Sequence, residues 1–166
     1  MDYSLIYYIF GSLAFSAFFS GIEMAFISSD KLQIELQMSK GTLVSNSLQT
    51  FIKKPSQFIG TTLVGNTLAL VLYGYFMAKL LELYLYENLP LIMPNDGSVL
   101  IVQTILSTLL VLSTAEFLPK SIFMINPNLM LNFFALPMRL LILIMTPITF
   151  LIITISKFII VNVLGL

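Results

Sequence analysis

The chain has 166 residues, of which 58% are hydrophobic and only 10% are charged, and its mean hydropathy is +0.97. This composition excludes an ordinary soluble domain and indicates an all-α integral membrane protein, while the balance of eight basic and eight acidic residues gives no support for a nucleic-acid partner. Cysteine and histidine are both absent, which excludes disulfides, thiolate or imidazole chemistry and most zinc sites, and leaves oxygen as the donor chemistry.

Three apolar segments are long enough to cross a hydrocarbon core of about 30 Å, which takes about 20 helical residues. We predict membrane spans at about residues 3–28, 56–86 and 98–118. The first of these is not typical of a cleavable signal peptide, because Asp2 stands where a basic start is expected. It therefore counts as the first span.

The charges of the two connections predict the orientation. Four lysines lie in the first connection, residues 29–55, whereas the second, residues 87–97, holds two acidic residues and no basic one. The positive-inside rule makes the first connection cytoplasmic, and it makes the second connection and the N-terminus external. Lys120 then ends the third span on the cytoplasmic side, as three crossings require. We expect a multi-pass protein of the cell membrane, with the bacterial inner membrane as its location.

The first connection is not structureless. Its apolar residues recur at helical spacing in two short stretches separated at Gly41, which predicts two helices that lie along the membrane surface. Pro55 stands at the predicted start of the second span, where a missing N–H is harmless.

The segment of about residues 121–166 allows two arrangements. It begins with a break at residues 126–128 and is interrupted by two further prolines. A fourth crossing at residues 140–158 is long enough and would place the C-terminus outside. The favoured alternative is a helical hairpin or an amphipathic belt at the cytoplasmic face, with Arg139 and Lys157 reaching the headgroups. The apolar end of the chain suggests the membrane part of a longer protein.

Small and polar residues recur at helical spacing inside the first two spans. Ser16 and Ser20 continue a four-residue serine spacing in the first span, and Thr62, Gly65 and Asn66 form a similar face in the second. These side chains are candidate ion ligands. The plainer interpretation is that serine and asparagine hydrogen-bond to a neighbouring helix, as they commonly do in membranes.

Glu116 is the strongest candidate, because a carboxylate at the edge of a span costs a few kcal/mol and indicates a functional group with a partner. Pro119 cannot donate to the carbonyl of Ala115, which leaves an oxygen free beside the carboxylate. An ion pair with Lys120, one turn later, is the alternative role of Glu116. Together, the hydroxyl, amide, carboxylate and carbonyl oxygens predict a site for Mg²⁺, Ca²⁺ or Na⁺.

Three ordered motifs resemble those of a known family. They are residues 18–25 (FFSGIEMA), residues 64–68 (VGNTL) and residues 116–120 (EFLPK), and the intervening Lys54-Pro55 also fits in order and spacing. On these residues the chain resembles the membrane domain of the CorC and CNNM magnesium transporters, also described as hemolysin-related proteins. The resemblance extends over essentially the whole chain.

The resemblance implies a homodimer with three spans per protomer, a cytoplasmic belt of juxtamembrane helices and one dehydrated Mg²⁺ per protomer. The implied ligands are Ser20, Asn66 and Glu116, with Ser16, Thr62 and Gly65 completing the shell. Ala115 departs from the family pattern, in which glycine precedes the glutamate. Members usually carry cytoplasmic CBS domains that bind ATP, and no such domain lies within these 166 residues, so an ATP partner is expected only through those domains.

Two functions from different classes follow. The first is transport of Mg²⁺ out of the cytoplasm, with Na⁺ as the coupling ion. The second is a membrane anchor and ion sensor that regulates attached cytoplasmic domains without transport. An enzyme is not expected, because no histidine, no cysteine and no paired catalytic carboxylates supply a base and a nucleophile.

Overall fold

A computed structural model describes residues 3–39, 41–88 and 96–162, and the regular structure in these ranges is entirely helical. The helices are α1 (Tyr3–Ser28), α2 (Lys31–Met38), α3 (Leu43–Lys53), α4 (Pro55–Asn88), α5 (Asp96–Val111), a π-helical turn (Leu112–Phe117), α6 (Leu118–Ile125) and α7 (Pro127–Asn162). This confirms the all-α class.

Four helical segments are long and apolar enough to cross a membrane. They are Ser4–Ser28, Pro55–Leu85, Gly97–Ile125 and Pro127–Ser156. The first three overlap the predicted spans, and the fourth lies in the segment for which the sequence allowed either a crossing or a belt. Most of the predicted external connection lies outside the described residues, at residues 89–95.

The third segment does not end where the sequence predicted. Helical structure continues beyond Pro119 as far as Ile125, and the break comes at Asn126. Pro119 follows Leu118, the residue that caps the π-helical turn and whose N–H donates to the carbonyl of Ser113, five residues earlier.

The two short helices predicted in the first connection are α2 and α3. The Asp30 side chain accepts a hydrogen bond from the Leu32 N–H at 3.0 Å, and the Thr42 hydroxyl accepts one from the Ser45 N–H at 3.2 Å, so each helix has an N-cap. Gly41 has φ +66°, a conformation that favours glycine and lets the chain turn between the helices.

The last long helix corrects the prediction of a hairpin. α7 runs unbroken for 36 residues, with Pro137 and Pro147 inside it. Proline is tolerated within long apolar helices because neighbouring helices and hydroxyl side chains stabilise the freed backbone groups. Arg139 is exposed on this helix.

The chain forms two compact units, and the first comprises the described parts of residues 1–20 and 65–121. Its core contains Ile9, Tyr73 and Met77, against which Leu110 and Val111 pack. The Tyr73 hydroxyl donates to the carbonyl of Ser107 at 2.9 Å. This bond fixes α4 against α5 within the unit.

The second unit comprises the described parts of residues 21–64 and 122–166. In it α7 packs against α3, and α3 buries Leu48 and Phe51. Phe58 at the start of α4 stacks on Phe26 and tilts against Phe51, with ring centroids 4.3 and 4.9 Å away. These contacts join the first connection to the helices on either side of it.

Candidate ion site

Ser16 and Asn66 are brought together by α1 and α4. Ser16 is fully buried, and its hydroxyl donates to the Asn66 carboxamide oxygen Oδ1 at 2.6 Å. This is the bond between helices that the plainer interpretation predicted. A carboxamide oxygen has two lone pairs, so Oδ1 keeps one available for a cation while the serine holds its orientation.

Ser20, one turn along α1 from Ser16, differs from it in hydrogen bonding. Its side chain is 1% exposed, and its Oγ has no hydrogen-bond partner within the described part of the chain. Leaving a buried polar group unsatisfied costs about 1–3 kcal/mol. By contrast, the buried Ser12 hydroxyl donates to the carbonyl of Ile9 at 2.9 Å. Ser20 therefore differs from these two serines in that its hydroxyl has no partner within the described residues.

Gly65 allows α4 to approach α1 closely beside these residues. A Cβ atom at this position would overlap the ring of Phe19, which is itself 3% exposed. Glycine is required here for packing, and it places the backbone next to Asn66 against α1.

Thr62 belongs to the second unit, where it is fully buried. Its hydroxyl donates to the carbonyl of Ile59 at 2.9 Å within the same helix. That bond satisfies its donor, so the hydroxyl needs no further partner, in contrast to Ser20.

Glu116 lies in the π-helical turn and is half-buried. Among the residues that the structure describes, it makes neither a hydrogen bond nor an ion pair, so the alternative pairing with Lys120 is not formed, and neither is a bond to Ser20 or Asn66. The preceding Ala115 is fully buried, so this position packs against protein.

The π-helical turn is the feature around Glu116 that the sequence analysis did not predict. Such turns appear mostly as single wide turns inside α-helices and are frequent at functional sites. Pro119 was the available signal, because it cannot donate to the carbonyl four residues earlier and so disfavours regular α-helical bonding at Ala115 and Glu116.

No group of three or more histidine, cysteine, aspartate or glutamate side chains that could hold a metal ion occurs within the ranges that the structure describes. A cation bound here would therefore depend on hydroxyl, carboxamide and backbone oxygens around one carboxylate. These are hard oxygen donors, which suit Mg²⁺, Ca²⁺ or Na⁺.

A family model described as the cyclin M transmembrane N-terminal domain, CNNM, matches residues 7–165. The match covers nearly the whole chain, including all the candidate ligands. No curated protein gives a significant match to the chain.

Proposed function

Since the chain belongs to the CNNM transmembrane family, with residues 7–165 matched, we propose that it transports Mg²⁺ across the membrane. The proposed direction is out of the cytoplasm, driven by inward Na⁺. The proposed ligands are Ser20, Asn66 and Glu116, with Ser16, Thr62 and Gly65 around them.

The observation that carries this proposal is the unsatisfied hydroxyl of Ser20. Its Oγ is buried without a partner in the described residues, in the same unit as the bonded pair of Ser16 and Asn66. A bound cation would remove the cost of that unsatisfied oxygen. The free lone pair of Asn66 Oδ1 would supply a second ligand without breaking its bond to Ser16.

Glu116 supplies the charge in this proposal. It is half-buried and makes no ion pair within the described part of the chain, so its carboxylate is available to an incoming cation. Pro119 cannot donate to the carbonyl of Ala115, which makes a backbone oxygen available beside it. A single carboxylate would hold a divalent ion weakly, and weak binding is what release during transport requires.

We propose three spans, with α7 lying along the cytoplasmic face of the membrane. At one end of α7 the Asn128 amide donates to the Gln33 side chain of α2. Farther along, Thr146 accepts from Gln57 at 3.0 Å, and Ile153 lies 3.5 Å from where a Cβ of Gly60 would be.

The contacts of Asn128 and Ile153 are separated by about 25 residues, or roughly 37 Å of helix. Both contacts are nevertheless made with the first connection or with the first two turns of α4. In this proposal those two segments lie at the same membrane face. A helix crossing the bilayer would leave that face within a shorter distance, because the hydrocarbon core is only about 30 Å thick.

Flux through proteoliposomes tests transport directly. We expect a Mg²⁺ gradient to dissipate faster in vesicles that contain the protein, and an opposing Na⁺ gradient to accelerate it further. Asn66→Ala should abolish the flux, whereas Asn46→Ala, at an exposed position of α3, should not. Folded protein that binds Mg²⁺ but gives no flux would instead identify a membrane anchor and ion sensor.

A further inference from the structure

The short helix α2 directs two leucines away from the protein. Leu32 and Leu36 are 70% and 68% exposed, whereas Ile34 between them is only 4% exposed. Residues four apart in a helix lie on the same side, and a residue two positions from each of them lies on nearly the opposite side. α2 therefore buries one side within its own unit and presents an apolar pair on the other.

Two hydrogen bonds hold α2 in this orientation. The Gln33 oxygen Oε1 accepts a bond from the Asn128 amide of α7 at 2.6 Å. The backbone carbonyl of Gln37 accepts a bond from the Ser45 hydroxyl of α3 at 2.7 Å. Both partners belong to the second unit, as α2 does. The two leucines therefore stay outside unless these bonds break.

The position of α2 in the chain indicates what can cover the leucines. Residues 29–30 alone separate α2 from α1, and Lys54 alone separates α3 from α4, so the connection is held at both ends by candidate membrane spans. Two intervening residues let the chain reach about 11 Å at most. The headgroup layer on each side of the hydrocarbon core is about 5–7 Å thick. Lipid is consequently the apolar partner within reach of α2.

The charge of this connection indicates which lipids suit it. Residues 29–55 hold four lysines and two acidic residues, which leaves two positive charges in excess. Lys31 begins α2 directly before the first exposed leucine, and Lys53 and Lys54 are exposed at the end of α3. Basic residues beside an apolar helix face attract anionic phospholipids to the membrane surface.

We propose that α2 is a binding surface for anionic phospholipid, with Leu32 and Leu36 inserted among the lipid headgroups and the lysines of the connection placed against lipid phosphates. This interaction does not depend on which ion the protein moves. It makes the lipid composition of the leaflet a determinant of how firmly the connection between the first two spans is held.

Tryptophan fluorescence tests the insertion, because the chain contains no tryptophan of its own. In nanodiscs, Leu36→Trp should emit at a shorter wavelength than Glu35→Trp, and phospholipids brominated on the acyl chain should quench it more strongly. Glu35 is the matched control, since it is exposed on the same helix but lies beside the leucine side. Leu32→Trp repeats the measurement one turn earlier and should behave as Leu36→Trp does.

The lipid preference is measured with brominated phosphatidylglycerol and brominated phosphatidylcholine at the same mole fraction. We expect phosphatidylglycerol to quench the Leu36→Trp protein more strongly, because one lysine near an anionic surface raises lipid affinity about fivefold. Lys31→Gln combined with Lys53→Gln and Lys54→Gln should remove the difference. Lys79→Gln, at an exposed lysine of the first unit, should leave it unchanged.

Emission of Leu36→Trp at the wavelength of tryptophan in water, without quenching by either lipid, would overturn the proposal and indicate a protein partner in the aqueous phase. Equal quenching by the two lipids in the protein with all its lysines would also overturn it, because the leucines would then insert without anionic lipid. Neither measurement requires Mg²⁺, so both decide the lipid site whether or not the transport proposal holds.

Discussion

Two serines one helical turn apart have opposite bonding states, and that difference defines the proposed site at the scale of single residues. Ser16 donates to Asn66, while the equally buried Ser20 has no partner in the described part of the chain. In the proposed site the first serine orients the Asn66 carboxamide, and the second offers its oxygen to the ion.

The bond between Ser16 and Asn66 should be measurable as a coupling free energy. We predict that Ser16→Ala destabilises the protein and that a double-mutant cycle with Asn66→Ala gives about 0.6 kcal/mol, the average for hydrogen bonds between membrane helices. Unfolding in mixed detergent micelles measures it. Ser121→Ala is the control, because that exposed hydroxyl donates only to the carbonyl of Phe117 in its own helix. Strictly additive effects of the two substitutions would contradict the assigned bond.

Gly65 should tolerate no side chain. Gly65→Ala places a methyl group in the ring of Phe19, and overpacking of this kind costs about 1–3 kcal/mol. Gly11→Ala serves as the control, since a Cβ there meets nothing within 4 Å. Thermal unfolding in detergent would show the loss at position 65 only, and Phe19→Leu should partly restore it. Equal melting temperatures for the two alanine variants would argue against the close approach of α4 to α1.

At the scale of helices, α7 packs one of its faces within its own unit. Its buried residues Leu131, Ala135, Met138 and Ile142 recur at spacings of four and three, which places them on one side of the helix. Exposed apolar side chains such as Leu143 and Phe150 remain for lipid. Apolar residues on the rest of the helix suit contact with lipid, which both a crossing and a helix embedded in the membrane provide.

Cysteine scanning tests the position of α7 on a clean background, because the chain has no cysteine of its own. For a helix in the interface, we predict that single cysteines from residue 139 to residue 154 react with a water-soluble maleimide with a period of about 3.6 residues. The reactivity should come from the cytoplasmic side alone. A continuous unreactive stretch of about 20 residues would instead indicate a fourth crossing.

The sequence predicted the first three long apolar helices because length and hydropathy alone determine which segments can cross a bilayer. It also predicted α2 and α3, since amphipathic spacing and a glycine between them are local signals. It did not predict the π-helical turn. In such a turn a backbone N–H donates to the carbonyl five residues earlier instead of four, and Pro119 was the one residue that pointed to this change. It wrongly treated Pro137 and Pro147 as breaks, because their tolerance depends on neighbours that the sequence does not reveal.

The residue types of the candidate site were predictable from the sequence, but the hydrogen bonds that these residues make were not. The spacing of Ser16, Ser20 and Asn66 indicated polar faces, yet the structure was needed to show which serine is bonded and which is open. Thr62 was expected only to complete the shell, and the structure shows that its hydroxyl donates to the carbonyl of Ile59 in its own helix.

At the scale of the whole molecule, the proposed homodimer needs a surface for a second copy. The first unit has an open groove of about 200 Å³ lined by Leu70, Tyr73, Gly74, Ser107, Thr108 and Val111. A Cβ added at Gly74 meets nothing within 4 Å, so a helix of another copy could approach closely there.

We predict that the purified protein has the mass of two chains by native mass spectrometry in detergent. Gly74→Phe should shift it toward one chain, because the ring would fill the groove that a neighbouring helix needs. Gly11→Phe, at another open glycine of the first unit, should leave the mass unchanged. A wild-type protein of single-chain mass would contradict the dimer itself.

The central claim is that one carboxylate and the oxygens of two other spans hold Mg²⁺, and its most direct measurement is a calorimetric titration of the purified protein with Mg²⁺. We predict saturable binding that weakens at least about tenfold in Glu116→Gln, the loss expected for a charged ligand. It should be unchanged in Glu35→Gln, at an exposed glutamate of α2. If folded Glu116→Gln protein binds Mg²⁺ as tightly as wild type, the assigned site is wrong.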